Sequence, residues 1–226
     1  MSEALSWFFA QEAQGIVLED DCLPSASFFG YCEELLARYA DDERVMSIGG
    51  SNFQDGRVRG AASYFATKHF HCWGWASWRR AWAQYDGALA SVGETLEAGL
   101  AALRDGSSAF PRYWMQIYRD CLAGRYSSWA YPMSLTCFAR AGTGRETLHI
   151  APQVNLVANI GFDALGTHVS AQDRNSAMRA AEISLPLVHP EHLVRDVDAD
   201  RYTDRFHFRI GWVPLLKARM MRVLAP

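Results

Sequence analysis

The chain has 226 residues, half of them apolar and 21% charged, with a formal net charge of −3. That length carries one large domain or two small ones, with room for a core of useful size. The weakly acidic balance argues against a general nucleic-acid binder, and no apolar run approaches the ~20 residues that span a bilayer. Five cysteines, at 22, 32, 72, 121 and 137, lack the short paired spacings of a zinc site. With no secretory leader ahead of them, they read as reduced thiols of a cytoplasmic protein. Eight tryptophans either fill a core or line a site that stacks sugars or bases.

In chain order, "EALSWFFAQEA" (3–13) predicts a short helix with Leu5, Phe8 and Phe9 on one side, ended at Gly15. "GIVLE" is a continuous apolar run, the pattern of a strand covered on both faces. Pro24 breaks the chain, and Ser27 is placed to cap a helix whose stripe is Phe28, Cys32, Leu35, Leu36 and Tyr39. "RVMSIGGSNF" predicts a strand running into a Gly-Gly turn. "GAASYFATKHFHCWGWASWRRAWAQY" is aromatic-rich, and its second half is expected to be helical. Further helices are predicted over 91–105, over "PRYWMQIYRDCLAG" with its stop at Gly124, and from "WAYPMSLTCFARAG". "HIAPQVNLVANIGF" predicts strand and loop. Beyond about residue 170 the chain is charged and poorly periodic, an extended tail or a peripheral helix. Its end, 209–224, sets Arg209, Lys217, Arg219 and Arg222 among large apolar residues. Such a segment either lies on a membrane face or docks as a terminal helix with a solvated basic side.

The chemistry concentrates after the first strand. Glu19, Asp20 and Asp21 are adjacent carboxylates, and like charges raise one another's pKa. Strand-end acids serve as caps and turn formers. They also sit where open α/β sheets place their ligand crevice. A hard cation, Mn²⁺ or Mg²⁺, relieves the repulsion and takes carboxylate oxygens together with substrate phosphates.

"GIVLEDDCLPSASFFGYCEELLARY" resembles the metal-binding segment of GT-A-fold glycosyltransferases, in which a strand ends in D-x-D or E-D-D. The E-D-D, the nearby proline and the aromatic helix start are similar to those of N-acetylglucosaminyltransferase I. The resemblance is closer to bacterial sugar transferases of the haemolytic-protein-like group. There, E-D-D-C-x-P-x-x-x-F-F is followed by a glycine-asparagine loop, W-G-W-A-x-W-R-R-A-W, N-L-V-x-N-I-G-F and a later T-H. This chain carries "SIGGSNF" at 47–53, "HCWGWASWRRAW" at 71–82, "VNLVANIGF" at 154–162 and "GTH" at 166–168, in that order.

The resemblance implies an α/β chain forming the C-terminal portion of a GT-A fold, a mixed sheet flanked by helices. Residues 1–170 would be a truncated catalytic core and 171–226 a C-terminal extension. It implies metal-dependent transfer of a sugar from a nucleotide-sugar donor to a saccharide or lipid-linked acceptor. Asp21 is then the direct metal ligand, and Glu19 and Asp20 face ribose or sugar hydroxyls. His168 joins the metal or diphosphate, or is a histidine satisfied by a loop carbonyl. Asn52 bonds a sugar hydroxyl, or forms a turn. Trp73 and Trp75 wall the sugar pocket, and Gly74 lets backbone approach closely. Arg79 is a phosphate contact or part of a polar helix side, the role expected of Arg80. Asn155 and Asn159 tie loops together.

Two features depart from the family pattern. Close relatives carry W-D-Y-x-W where this chain has "SSWAYPM", so Ala130, a residue some related groups also have there, stands at the place of the base that takes the acceptor's proton. Asp163 is the nearest acid by sequence that could replace it. The nucleotide-binding half, about three βα units of ~30 residues each, is also expected before the E-D-D strand, where one helix stands. The chain is then a fragment, or a partner chain supplies that half, or the start at Met1 is too late; an apolar sheet edge is expected to be left exposed. Two other readings remain: a non-catalytic saccharide-binding or assembly module, and, ranked last, a metal-dependent phosphoester hydrolase.

Overall fold

The computed structural model describes residues 1–161 and 178–211. In chain order the elements are α1 (Ser2–Gln11), β1 (Gln14–Val17), β2 (Cys22–Pro24), α2 (Ser27–Arg38), β3 (Val45–Gly49), β4 (Tyr64–Thr67), β5 (Trp75–Trp78) and α3 (Arg79–Trp82). After these come α4 (Gly93–Ala102), α5 (Ala109–Leu122), α6 (Ala130–Gly142), β6 (Leu148–Pro152), β7 (Val157–Asn159) and α7 (Val197–Phe206). The chain is α/β, with a mixed sheet flanked by helices.

The main sheet has the order β1-β5-β3-β6-β4. β3 and β6 are parallel, and β5 runs antiparallel to both β1 and β3, as β4 does to β6. Alternation divides the residues between two faces. Val45, Ile48, Tyr64, Ala66, Ala76, Trp78, Leu148 and Ile150 join the core with Phe28, Tyr31, Cys32, Leu35 and Leu36 of α2. Ser47, Thr67, Ser77 and His149 take the other face, and they too are buried. β2 and β7 form a separate two-stranded ribbon.

The described residues fall into two compact units that interleave along the chain. The sheet unit comprises Met1–Tyr85 and Thr147–Asp196, and a helical unit comprises Asp86–Glu146 and the chain from Val197. Residues 178–196, grouped by sequence with the C-terminal extension, therefore belong with the sheet. Leu187 and Leu193 join its core. His189 links α2 to β4: its Nε2 is 3.0 Å from Glu34 Oε1, and its Nδ1 is 2.8 Å from the Tyr64 hydroxyl. In the helical unit, α4 packs on α6 so closely that a methyl group on Gly99 would overlap the Phe138 carbonyl, and one on Gly142 the Thr95 carbonyl.

Three local expectations are corrected. "WASWRR" is not mainly helical: Trp75–Trp78 is a strand, and a single turn follows. The strand is held on both sides, by β1 and by β3, and the Trp78 indole donates to Leu36 O at 3.2 Å. β4, inside the same aromatic stretch, is a further strand. Ser27 does not cap α2 with its side chain. Glu182 does so from 155 residues away, accepting the Ser27 N–H at 2.8 Å and the Ala26 N–H at 3.1 Å. A carboxylate suits the positive end of a helix, and hydrogen bonding to the Ser27 side chain, then to the Ser27 and Ala26 N–H groups, holds Glu182 below the usual carboxylate range.

Gly99→Ala is expected to destabilise the helical unit by about 2–3 kcal/mol, because the obstruction is backbone and cannot rotate away. Urea unfolding followed by circular dichroism measures the loss.

Candidate functional site

Strand direction decides which loops meet. The carboxyl ends of β1, β3 and β6 and the amino ends of β4 and β5 share one end of the sheet, since Val17 pairs with Trp75, Gly49 with Trp75 and Tyr64 with Pro152. The acidic loop, the Gly-Gly turn, the Cys72–Gly74 loop and the 153–156 turn therefore come together. Their backbones are bonded to one another. Gly50 N–H donates to Gly74 O and Leu156 N–H to Gly50 O, both at 2.8 Å. Ser51 Oγ donates to Trp73 O at 3.1 Å. Gly74 has φ +63, a conformation that favours glycine. A methyl group there would stand 2.7 Å from Val157 Cγ2 and 3.2 Å from Leu18 Cδ2. The residue just before the acids thus lies against this glycine.

The acids are accessible: Asp20 is exposed, and Glu19 and Asp21 are half-buried. Asp21 O accepts from Ile160 N–H at 2.8 Å, and the Cys22 thiol points at Asp21 Oδ1 from 3.6 Å. Burial pushes the Cys22 thiol up to about 12, with the charges of Asp21 and Glu19 adding to the shift. Burial raises Cys72 as well, helped by Glu19, Cys22 and Asp21. Two protonated thiols thus line the acidic loop. Counting cysteines by spacing missed them; the signal was the cysteine directly after the acids.

The other candidates separate into groups. Trp73 is half-buried at this sheet end, its ring 5.4 Å from Phe53, which lies 4.5 Å from His71. Trp75 is fully buried, edge-on to Phe70 at 5.1 Å, so it is a core residue and not a pocket wall. Asn52 is buried and holds turns: its Nδ2 donates to Pro152 O at 2.6 Å and its Oδ1 accepts from Gln54 N–H at 2.8 Å. Asn155 and Asn159 tie loops, through Asn52 N–H to Asn155 Oδ1 and Gly161 N–H to Asn159 Oδ1. Arg79 is not brought to the acids. It follows the far end of β5, about 13 Å along the strand from Trp75 at ~3.3 Å per residue, and its Nε donates to Phe9 O. Arg80 donates to the carbonyls of Ala40, Val45 and Tyr39, each at 2.8 Å, and lies over Trp78. Ala130 begins α6.

Asp163, His168 and the segment from residue 212 lie outside the described residues. Among the described residues no group of three or more His, Cys, Asp or Glu side chains is arranged to hold a metal ion, and no helix is long and apolar enough to cross a membrane. A cavity of about 370 Å³ lies at the opposite sheet edge, between β4 and residues 188–196. It shares no lining residue with the acidic loop.

No family model matches the chain, and no curated protein does.

The buried sheet face carries a pH-sensitive group. Burial, with His69 nearby, lowers His149 to about 3 from 6.5, and Ser47 Oγ sits 2.7 Å from its Nδ1. The folded chain keeps it neutral, while the unfolded chain takes up a proton below 6.5. Stability is therefore complete above that pH and is lost as pH falls toward 3. Between pH 7 and 5 the expected loss is about 2 kcal/mol. His149→Asn should remove that share of the slope in denaturant melts at both pH values.

Proposed function

We propose that the chain is the metal-dependent catalytic portion of a GT-A-type glycosyltransferase. It would transfer a sugar from a nucleotide-sugar donor to a saccharide or lipid-linked acceptor. What supports this reading is the convergence of the acidic loop, the Gly-Gly turn and the Trp73–Gly74 loop on one end of a mixed sheet. These segments are distant in sequence, and each belongs to the pattern that carries the resemblance.

The donor set fits a hard cation in the open style. Mg²⁺ and Mn²⁺ sites of phosphate enzymes use one or two carboxylates, with water and substrate phosphates completing the shell. Asp21 and a neighbouring accessible carboxylate meet that need without a preformed cage. A divalent ion held there neutralises the charge that develops on a departing diphosphate. On this reading Asp21 holds the ion, and Asp20, the most exposed acid, faces donor hydroxyls. Trp73 offers a half-exposed ring to a sugar face. Cys22 and Cys72 stay protonated beside the acids, so they add no negative charge where the diphosphate sits. His168, by resemblance, is proposed as second metal contact, and Asp163, the nearest acid by sequence, as proton acceptor.

One observation favours a second reading. Ala130, at the place of the expected base, has no proton-accepting side chain, as a saccharide-binding module without catalysis would allow. Binding data separate the two. Calorimetry with Mn²⁺ and a panel of nucleotide sugars is expected to show binding that requires the metal and weakens at least about tenfold in Asp21→Asn, about 1.4 kcal/mol. Nucleotide-sugar binding that ignores both the metal and Asp21 would sink the first reading. Binding of free oligosaccharide without nucleotide would establish the second.

A further inference from the structure

We propose that Gly161 is a positioning residue for Asp21: the side chain it lacks leaves the space that the Asp21 carboxylate occupies. The functional meaning rests on the reading of Asp21 as the metal-holding carboxylate. The geometry stands on packing alone.

The β2–β7 ribbon sets the two residues against each other. Its ladder runs from Pro24 and Val157 to Cys22 and Asn159, and the Ile160 N–H to Asp21 O bond carries it one step further. The Asn159 side chain then accepts the Gly161 N–H at 2.8 Å, turning the chain so that Gly161 faces the Asp21 side chain. A methyl group at 161 would overlap Asp21 Oδ2 and stand 3.0 Å from its Cβ and 3.1 Å from its Cγ. Among the described residues, chain neighbours aside, the three atoms nearest to that position all belong to Asp21.

Backbone conformation does not explain the glycine. Gly161 is outside the left-handed region, unlike Gly74. Alanine at such a position costs no backbone strain and reduces the freedom of the unfolded chain. Only space demands glycine here, and the group that uses the space is a carboxylate. With residues 160 and 161 each tied by a hydrogen bond, the side chain of Asp21 is the part that must yield. Its rotation would carry Oδ1 off the Cys22 thiol and turn the carboxylate to a new direction. A cation shared with a diphosphate tolerates little such change, because metal–oxygen distances are held to a few tenths of an ångström.

The test uses the full chain as wild type, Gly161→Ala, Gly161→Ser, Asp21→Asn and Gly161→Ala combined with Asp21→Asn. In metal-free buffer, the ¹³C carboxylate resonance of Asp21, assigned by its loss in Asp21→Asn, is expected to move in Gly161→Ala while thermal stability is kept. An unmoved resonance overturns the inference. Mn²⁺ titration is expected to show at least about tenfold weaker binding in Gly161→Ala than in wild type, with no further loss in the double variant over Asp21→Asn. Mn²⁺ binding by Gly161→Ala equal to wild type overturns the inference while leaving the metal reading intact. If wild type takes up no Mn²⁺, the metal reading fails, and the carboxylate resonance still decides the positioning role. Failure of both the alanine and the serine variant to fold also overturns it, since the glycine would then serve the chain and not the carboxylate.

Discussion

The candidate site depends on one tight backbone junction. Gly50 donates to Gly74 and accepts from Leu156, so three loops from three strands share one pair of hydrogen bonds. A methyl group on Gly50 would stand 2.5 Å from Val157 and 2.7 Å from Phe28. No side chain fits there, and the glycine is what lets β3 and β5 close against the turn that leads to β7. Everything nearer the acids follows from this closure. β7 is placed by it, β2 pairs with β7, and the acidic loop is the short link between β1 and β2. Leu18, lying on Gly74, holds the start of that link.

The same junction answers why three adjacent acids are tolerated at the end of an apolar strand. The strand ends at Val17, before the acids begin. Past Leu18, the chain turns onto the ribbon and the carboxylates reach solvent, which screens their repulsion. The thiols of Cys22 and Cys72 are held protonated, and His149 is neutral. Exposed apolar residues border the acids, with Leu23 57% and Ile160 62% exposed.

Some of this was legible before the fold was known. α2, α5 and α6 follow from apolar spacing and from Gly124 as a stop, because helix signals are local. β1 followed from its continuous apolar run, and β3 from a short β-type segment running into the Gly-Gly turn. β4 and β5 did not, for an aromatic run with alanine and arginine satisfies either period until its partners are known. The cap on α2 was equally out of reach, since Glu182 comes from the far end of the sheet unit. Arg79 read as a phosphate contact or part of a polar helix side, and Arg80 as the polar side of a helix. They are spent on carbonyls, because they follow the end of β5 that points away from the acids.

What the sequence by itself determined is the chemical inventory and its order: three acids after an apolar strand, a Gly-Gly turn, a tryptophan loop and an asparagine-bearing segment. Residue types and local spacing are enough for that. What only the tertiary structure decided is which of these face one another. Trp73 and Trp75 are two residues apart, yet one is half-buried in a loop at the acids' end of the sheet and the other is core. Asn52 is used up in holding turns, and Gly161 is set beneath Asp21 across 140 residues of chain. The reason is physical. Side-chain direction in a strand, and the end at which a strand stops, are set by neighbours it pairs with far along the chain, and no local pattern records them.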